Sequence, residues 1–166
     1  MLKKFLIGKF RQGVAFLVRY EKAGRIVRKV YEKTNYYVYK LSGGRIFNSM
    51  GDGQIILVKT IGRKTGKERE FPLLSTNFNG NWVIVGSNAG RPDNPAWVAN
   101  LRATPDISIT VGTTVLPVYA RELTDKVEYD QAFGAIVLAN DVFLQHASHT
   151  TRTMPVFLLE PRPLSQ

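Results

Sequence analysis

The stretch IGRKTGKERE, residues 61–70, sets Arg63, Lys64, Lys67 and Arg69 in one turn beside Gly62 and Gly66. Reversing a chain between two strands needs only a glycine and a few polar residues, and clustered cations repel one another. The turn is therefore either a solvated hairpin or a receptor for an anion. Its spacing fails the Walker pattern, since Ile61 stands where the first glycine would be. A glycine-flanked turn still offers bare backbone N–H groups, the Thr65 hydroxyl and two long cations to one phosphate. Arg63 suits a pair of phosphate oxygens, and Lys64 acts as a point charge.

A second segment, GSNAGRPDNPAW at residues 86–97, leaves a strand through small residues and turns at Gly90 before a helix. Small residues let a flat ligand approach the backbone, and Trp97 supplies a stackable wall. The alternative is that Trp97 merely pins the short helix to the sheet. Taken together, an anion turn and a ring-sized seat suggest a phosphorylated aromatic cofactor.

Other constellations are poorer. His146 and His149 form an HxxH pair without an obvious third ligand, so no metal site is expected. There is no GxSxG, and no acid pair stands out by its spacing. The absence of cysteine excludes disulfides, thiolate nucleophiles and cysteine metal sites, and it suits a reducing compartment.

The elements that position these residues read as hairpins. QIILVKT and REFPLLSTNF flank the basic turn, with Pro72 implying an edge or bulge. The NGN at 79–81 turns into WVIVGS, and ISITV and TVLPVYAREL form another pair around Gly112. Asn94 is placed as N-cap of a short helix with Pro95 at its first position, and Thr124 as cap of a helix reaching about Leu144. MPVFLLEP closes as a strand. Hairpin-joined strands imply an antiparallel sheet, which closes economically into a barrel of about six strands with helices outside. The expected class is α+β, mainly β.

The chain has 166 residues, enough for one domain with a sizeable core. Its net charge of +10 is unevenly distributed. Residues 1–45 hold twelve Lys/Arg against Glu21 and Glu32, and the remainder is balanced. On a helix, residues 2–20 gather Phe5, Leu6, Phe10, Phe16 and Leu17 on one side and Lys4, Arg11 and Arg19 on the other. A basic amphipathic segment, followed by tyrosines, suits an anionic membrane surface; packing on the domain with cations in water is the alternative. Nucleic acid is not expected, because no recognition motif accompanies the charge. No run approaches the roughly 18–20 apolar residues of a membrane span. The start lacks an unbroken apolar region and a small-residue cleavage site, so a cytoplasmic location is expected, at most peripheral on the inner membrane face. The expected division is a helical segment at 1–38 and a barrel domain at 39–166.

The segments LSGGRI, ILVKTIGRKTGKERE-FPLL, WVIVGSNAGRPDNPAWVANLRATPDISITVG and MPVFLLEP closely resemble the deazaflavin (F420)-dependent nitroreductase family, from about Tyr39 to Pro161. The resemblance implies a split β-barrel and bound F420, with FMN the less favoured cofactor. By position, Arg63, Lys64, Thr65 and Gly66 would hold the phosphate end. Gly86, Ser87 and Asn88 would line the ring, and Pro95, Trp97 and Asn100 would shape its pocket. Ser87 becomes the candidate for hydrogen-bonding a substrate as charge develops on it.

The chain departs from that pattern at NDVFLQHASHTTRT. Asn140, Phe143 and His146 stand where tyrosines of the substrate pocket would fall, and Asn88 stands where a lysine is common. The implied activity is hydride transfer from F420H2 to an electron-poor acceptor such as a quinone or nitro compound, at the membrane surface, in a chain that could pair as a homodimer. The alternatives are a non-catalytic F420 or fatty-acyl carrier on the same barrel and an FMN-binding relative.

Overall fold

A computed structural model describes residues 23–163. Helix α1 (Ala23–Leu41) leads to a two-residue strand β1 (Ser49–Met50), then β2 (Gly53–Ile61), β3 (Glu68–Phe78) and β4 (Asn81–Val85). A 3-10 turn (Asn88–Gly90) and helix α2 (Ala96–Ala103) precede β5 (Asp106–Val111) and β6 (Thr114–Glu122). Helices α3 (Lys126–Ala139) and α4 (Val142–Ser148) come before β7 (Val156–Pro161). The amphipathic segment at residues 2–20 lies outside the described residues, and α1 runs unbroken across positions 38 and 39.

The strands pair antiparallel in the order β2-β3-β4-β7-β6-β5, and β5 returns to β2 to close a six-stranded barrel. Val58 marks the closure, since it pairs with Phe71 of β3 and also with Ile109 of β5. Alternation decides the two cores. Ile56, Val58, Ile84, Ile109, Val118, Phe157 and Leu159 share the cluster that Trp97, Val98 and Leu101 of α2 complete. The intervening Val83, Val85, Val156 and Leu158 belong to a second cluster with Ala132, Ile136 and Phe143 of α3 and α4. Strands β4 and β7 read as continuous apolar runs because both of their faces are buried.

Three local expectations meet their outcome here. Pro72 pairs with Leu57 of β2, whereas β4 reaches only residues 76–78 of β3, so the proline sits on a locally open edge. The long helix from Thr124 is two helices, with Asn140 in extended conformation between them. Its cap is Asp125, whose carboxylate accepts the Glu128 N–H at 2.9 Å. Pro95, not Asn94, is the N-cap of α2, because the Asn94 side-chain oxygen accepts from Arg152 at 2.7 Å.

Helix α1 is fastened to the barrel at its C-terminal end. Buried Tyr39 accepts the Gly112 N–H at 2.8 Å through its hydroxyl oxygen. Tyr36 and Lys40 both donate to Glu70 of β3, at 2.7 and 2.8 Å. These hydrogen bonds hold Lys40 above its ordinary value; on Glu70, burial pushes upward but Lys40 and Tyr36 outweigh it and lower the carboxyl. Just beyond the helix, Gly44 has a φ of +73° and lies so close to the β5–β6 turn that a Cβ would stand 2.5 Å from the Gly112 Cα.

Gly44→Ala should therefore destabilise the protein clearly more than Gly80→Ala. Both glycines have positive φ, a cost for alanine of about 1–2 kcal/mol, but Gly80 has open space around it. Urea denaturation of the two variants measures the difference.

Candidate functional site

A cleft of about 490 Å³ opens beside the unpaired edge of β3. One wall is Phe71, Pro72 and Leu73; the other is Ser87, Asn88, Ala89, Arg91 and the start of α2 with Pro95 and Trp97. Its size is that of a small-molecule site. Trp97 is buried between Phe71, stacked at 6.5 Å, and Phe157, edge-on at 5.9 Å. It therefore both pins α2 to the sheet and walls the cleft.

The chain must turn sharply to form the second wall. Gly86 passes so close to α2 that a Cβ would meet the Val98 side chain at 2.9 Å. Asn88, Ala89 and Gly90 then all have positive φ, at 47°, 55° and 73°. A non-glycine residue in that region is costly and persists only where its surroundings enforce it. The enforcing group is Arg152. Its Nη2 donates to the carbonyls of Gly86 and Ser87 at 2.9 and 2.8 Å. Its Nε donates to the Arg91 carbonyl at 2.9 Å, and its Nη1 to Asn94 Oδ1 at 2.7 Å. The Asn88 side chain adds a bond to the Asp93 carbonyl at 2.9 Å.

The basic turn lies at the other end of α2. The N–H groups of Gly62, Thr65 and Gly66 close the turn on itself, and that of Lys67 points to Thr65 Oγ at 3.4 Å. The Arg63 N–H donates to Asn100 Oδ1 at 3.1 Å, while Asn100 Nδ2 donates to Thr60 at 3.3 Å. These engaged amides correct the expectation of bare N–H groups at Gly62, Arg63, Thr65, Gly66 and Lys67, so the turn offers mainly its side chains. Arg63, Lys64, Lys67 and Arg69 are exposed, and none of them makes an ion pair among the described residues. Like charges without partners are what an anionic ligand would relieve.

The sequence-predicted residues thus divide. Ser87, Asn88, Pro95 and Trp97 line the cleft, and Gly86 shapes its strand end. Arg63, Lys64, Thr65 and Gly66 form the turn, which buried Asn100 ties to the cleft helix. His146 reaches the cleft through Ser87, its Nδ1 lying 3.0 Å from Ser87 Oγ. Phe143 is buried in the outer core, edge-on to His146 at 6.1 Å. Asn140 stands apart from the cleft: its Nδ2 donates to the Met50 carbonyl and its Oδ1 accepts from the Val142 N–H, both at 3.0 Å. Burial, and secondarily the charge of His149, holds the His146 imidazole below its ordinary value. Among the described residues no cluster of three or more His, Asp or Glu could hold a metal. Arg152 carried no signal in the sequence, since a lone arginine in TTRTMP resembles any surface cation; on the β3 wall, Pro72 signalled an open edge but not a site.

A basic turn without ion pairs among the described residues, bridged by one helix to a ring-sized cleft with an aromatic wall, fits a phosphorylated aromatic cofactor. The family model for F420H(2)-dependent quinone reductase matches residues 30–161. The chain belongs to that family. It is an F420-dependent oxidoreductase on a split β-barrel, as the resemblance implied.

An F420H(2)-dependent quinone reductase of Mycobacterium tuberculosis is 30% identical over 128 residues, covering 75% of this chain and 86% of that protein. The solved structure of an F420-H2 dependent reductase, FDR-A, is 36% identical, with a TM-score of 0.59 over 64% of this chain and 93% of that one. Another solved structure, described as a domain-swapped dimer, is 32% identical with a TM-score of 0.62, over 80% of this chain and 98% of that one.

Arg152→Gln should lower stability by at least about 2 kcal/mol, because charge-assisted bonds to backbone carbonyls are lost. It should also weaken F420 binding, although Arg152 lies outside the cleft lining, because the wall it holds would relax. Urea denaturation and a fluorescence titration with F420 read the two effects.

Proposed function

We propose that the protein reduces a quinone-type acceptor with F420H2, working at an anionic membrane surface. The observation that carries this reading is the pairing of the exposed basic turn with the cleft, joined through Asn100 on α2. Arg63 and Lys64 would grip the phosphate and anionic tail of F420, and Thr65 and Gly66 would keep the turn compact. Gly86, Ser87, Asn88, Pro95 and Trp97 would seat the ring system. Reduced F420, when bound, supplies the hydride. The protein's work is to orient both partners and keep water out, using the apolar wall of Phe71, Pro72, Leu73 and Trp97. A flat, electron-poor acceptor without charge suits that wall, and a quinone meets this description; nitro compounds are the comparison in the assay.

Two further observations support the membrane part of the reading. The excess positive charge is confined to residues 1–45. Leu41, Ile46 and Val115 are strongly exposed, and the adjoining Gly43 and Gly44 pack against Gly112 and Thr113 of the β5–β6 turn, so these aliphatic side chains flank one end of the barrel. Cations near an anionic surface contribute about 1 kcal/mol each, and aliphatic tips add burial. Among the described residues no helix is long and apolar enough to cross a membrane. A homodimer belongs to the same reading, on the precedent of the domain-swapped relative.

Arg63→Ala combined with Lys64→Ala should weaken F420 binding by at least about tenfold and flatten its salt dependence, since each charge-assisted contact is worth roughly 1.5–3 kcal/mol. Steady-state assays with quinone, nitro and enone acceptors should show turnover greatest with the quinone. Binding without turnover on any of them overturns the reductase reading. Deletion of residues 1–30 should abolish pelleting with anionic vesicles; unchanged pelleting removes the surface attachment.

A further inference from the structure

We propose that Ser87 and His146 form a relay that delivers a proton to the acceptor oxygen while the hydride arrives on its other atom. The inference rests on the reductase reading. Ser87 lies on the cleft wall, and its Oγ is 3.0 Å from His146 Nδ1. That imidazole sits on α4, behind the wall and away from the cleft lining, where it touches the acceptor only through the serine. The contact is rigidly held. Gly90 packs so tightly on α4 that a Cβ would stand 2.5 Å from the His146 carbonyl, and Arg152 fixes the Ser87 carbonyl. Phe143 buttresses the ring edge-on.

Reduction of a carbonyl-type acceptor needs two electrons, one hydrogen carried as hydride and one proton. Hydride addition leaves negative charge on the acceptor oxygen. Ser87 Oγ–H donates its proton there as the imidazolium Nδ1–H replaces it, so the serine ends neutral. His146 ends as neutral imidazole and regains its proton from solvent, while oxidation of the cofactor returns a proton to solvent. Only the imidazolium can complete this transfer: a neutral imidazole could donate only by becoming an anion. His146 is the proton-supplying residue, and Ser87 is the group that touches the acceptor.

The surroundings set the pH at which the relay operates. Burial lowers the His146 value first, and His149, just past the end of the same helix, adds to it. Arg152 lies on the Ser87 carbonyl, Arg91 follows the 3-10 turn that packs on α4, and α3 contributes apolar Ala132 and Ile136 to the adjoining core. A group lowered in this way is charged only below its depressed value. Turnover should therefore fall as pH rises through the His146 midpoint, by roughly tenfold per pH unit.

The test combines NMR with kinetics. In the cofactor-free protein, the His146 imidazole is titrated by NMR, and Ser87→Ala should shift its midpoint. In the F420H2-dependent assay, the descending limb of kcat should coincide with that midpoint. His149→Gln removes a positive neighbour and should move the midpoint and the limb upward together. His146→Gln should lower kcat by about a hundredfold and remove the limb, while leaving F420 affinity within about twofold by fluorescence. A limb that persists in His146→Gln, or that stays in place when the NMR midpoint moves, overturns the relay and leaves the reductase reading standing. Absence of F420 binding by the wild-type protein overturns both.

Discussion

The guanidinium of Arg152 meets a demand that the backbone cannot meet for itself. Between β4 and α2 the chain leaves the sheet: the carbonyls of Gly86 and Arg91 have no ladder partners there, and that of Ser87 has the Gly90 N–H at 2.9 Å. A buried carbonyl left unpaired is expensive, and two consecutive non-glycine residues with positive φ add strain. One planar cation with a fixed fork of donors satisfies all three carbonyls and the Asn94 side chain together. A lysine could not span those acceptors. The shape of the cleft wall and the place of buried Ser87 on it rest on those contacts.

Helix α2 then links two kinds of recognition that must not interfere. Trp97 and Asn100 are three residues apart and so share a side of the helix. The first completes an apolar, desolvated wall; the second orders a turn whose cations remain in water. An exposed cluster attracts an anionic tail over about a Debye length, roughly 8–10 Å, and its grip weakens with salt. The cleft contributes shape and burial, which salt hardly affects. Keeping the charges out of the apolar wall spares them the desolvation that burial would impose.

What the sequence made legible was what is local. Glycine and asparagine turns announced the hairpins, as Asn79 and Gly80 with φ of 52° and 80° attest. Hairpin-joined apolar runs announced the antiparallel barrel, and Pro72 announced its open edge. Two of the misreadings were competitions between side chains and distant partners. Asn94 is a good cap by composition, but Arg152, 58 residues away, takes its oxygen. Asn140 was invisible as a helix break because its amide bonds to Met50, 90 residues earlier. The HxxH spacing sets two histidines three residues apart, yet α4 turns His146 toward Ser87 while His149, just past the end of that helix, is exposed. Sequence spacing conveys which residues share a helix side, not what faces that side.

The position of these partners along the chain has a consequence for assembly. Arg152 and Pro155 immediately precede β7, the strand that lies between β4 and β6 and completes the ring. The Gly86 N–H bonds to the Pro155 carbonyl at 2.8 Å, so the cleft wall is anchored to the approach of that final strand. Until β7 pairs, neither the guanidinium nor that carbonyl is available to segment 86–94, and the strained turn lacks what holds it. The site is therefore coupled to closure of the barrel: a ligand that binds only the formed cleft also favours β7 in place. A ligand of this kind stabilises the folded chain by mass action. The contacts that shape the cleft are thus also contacts that keep the barrel shut.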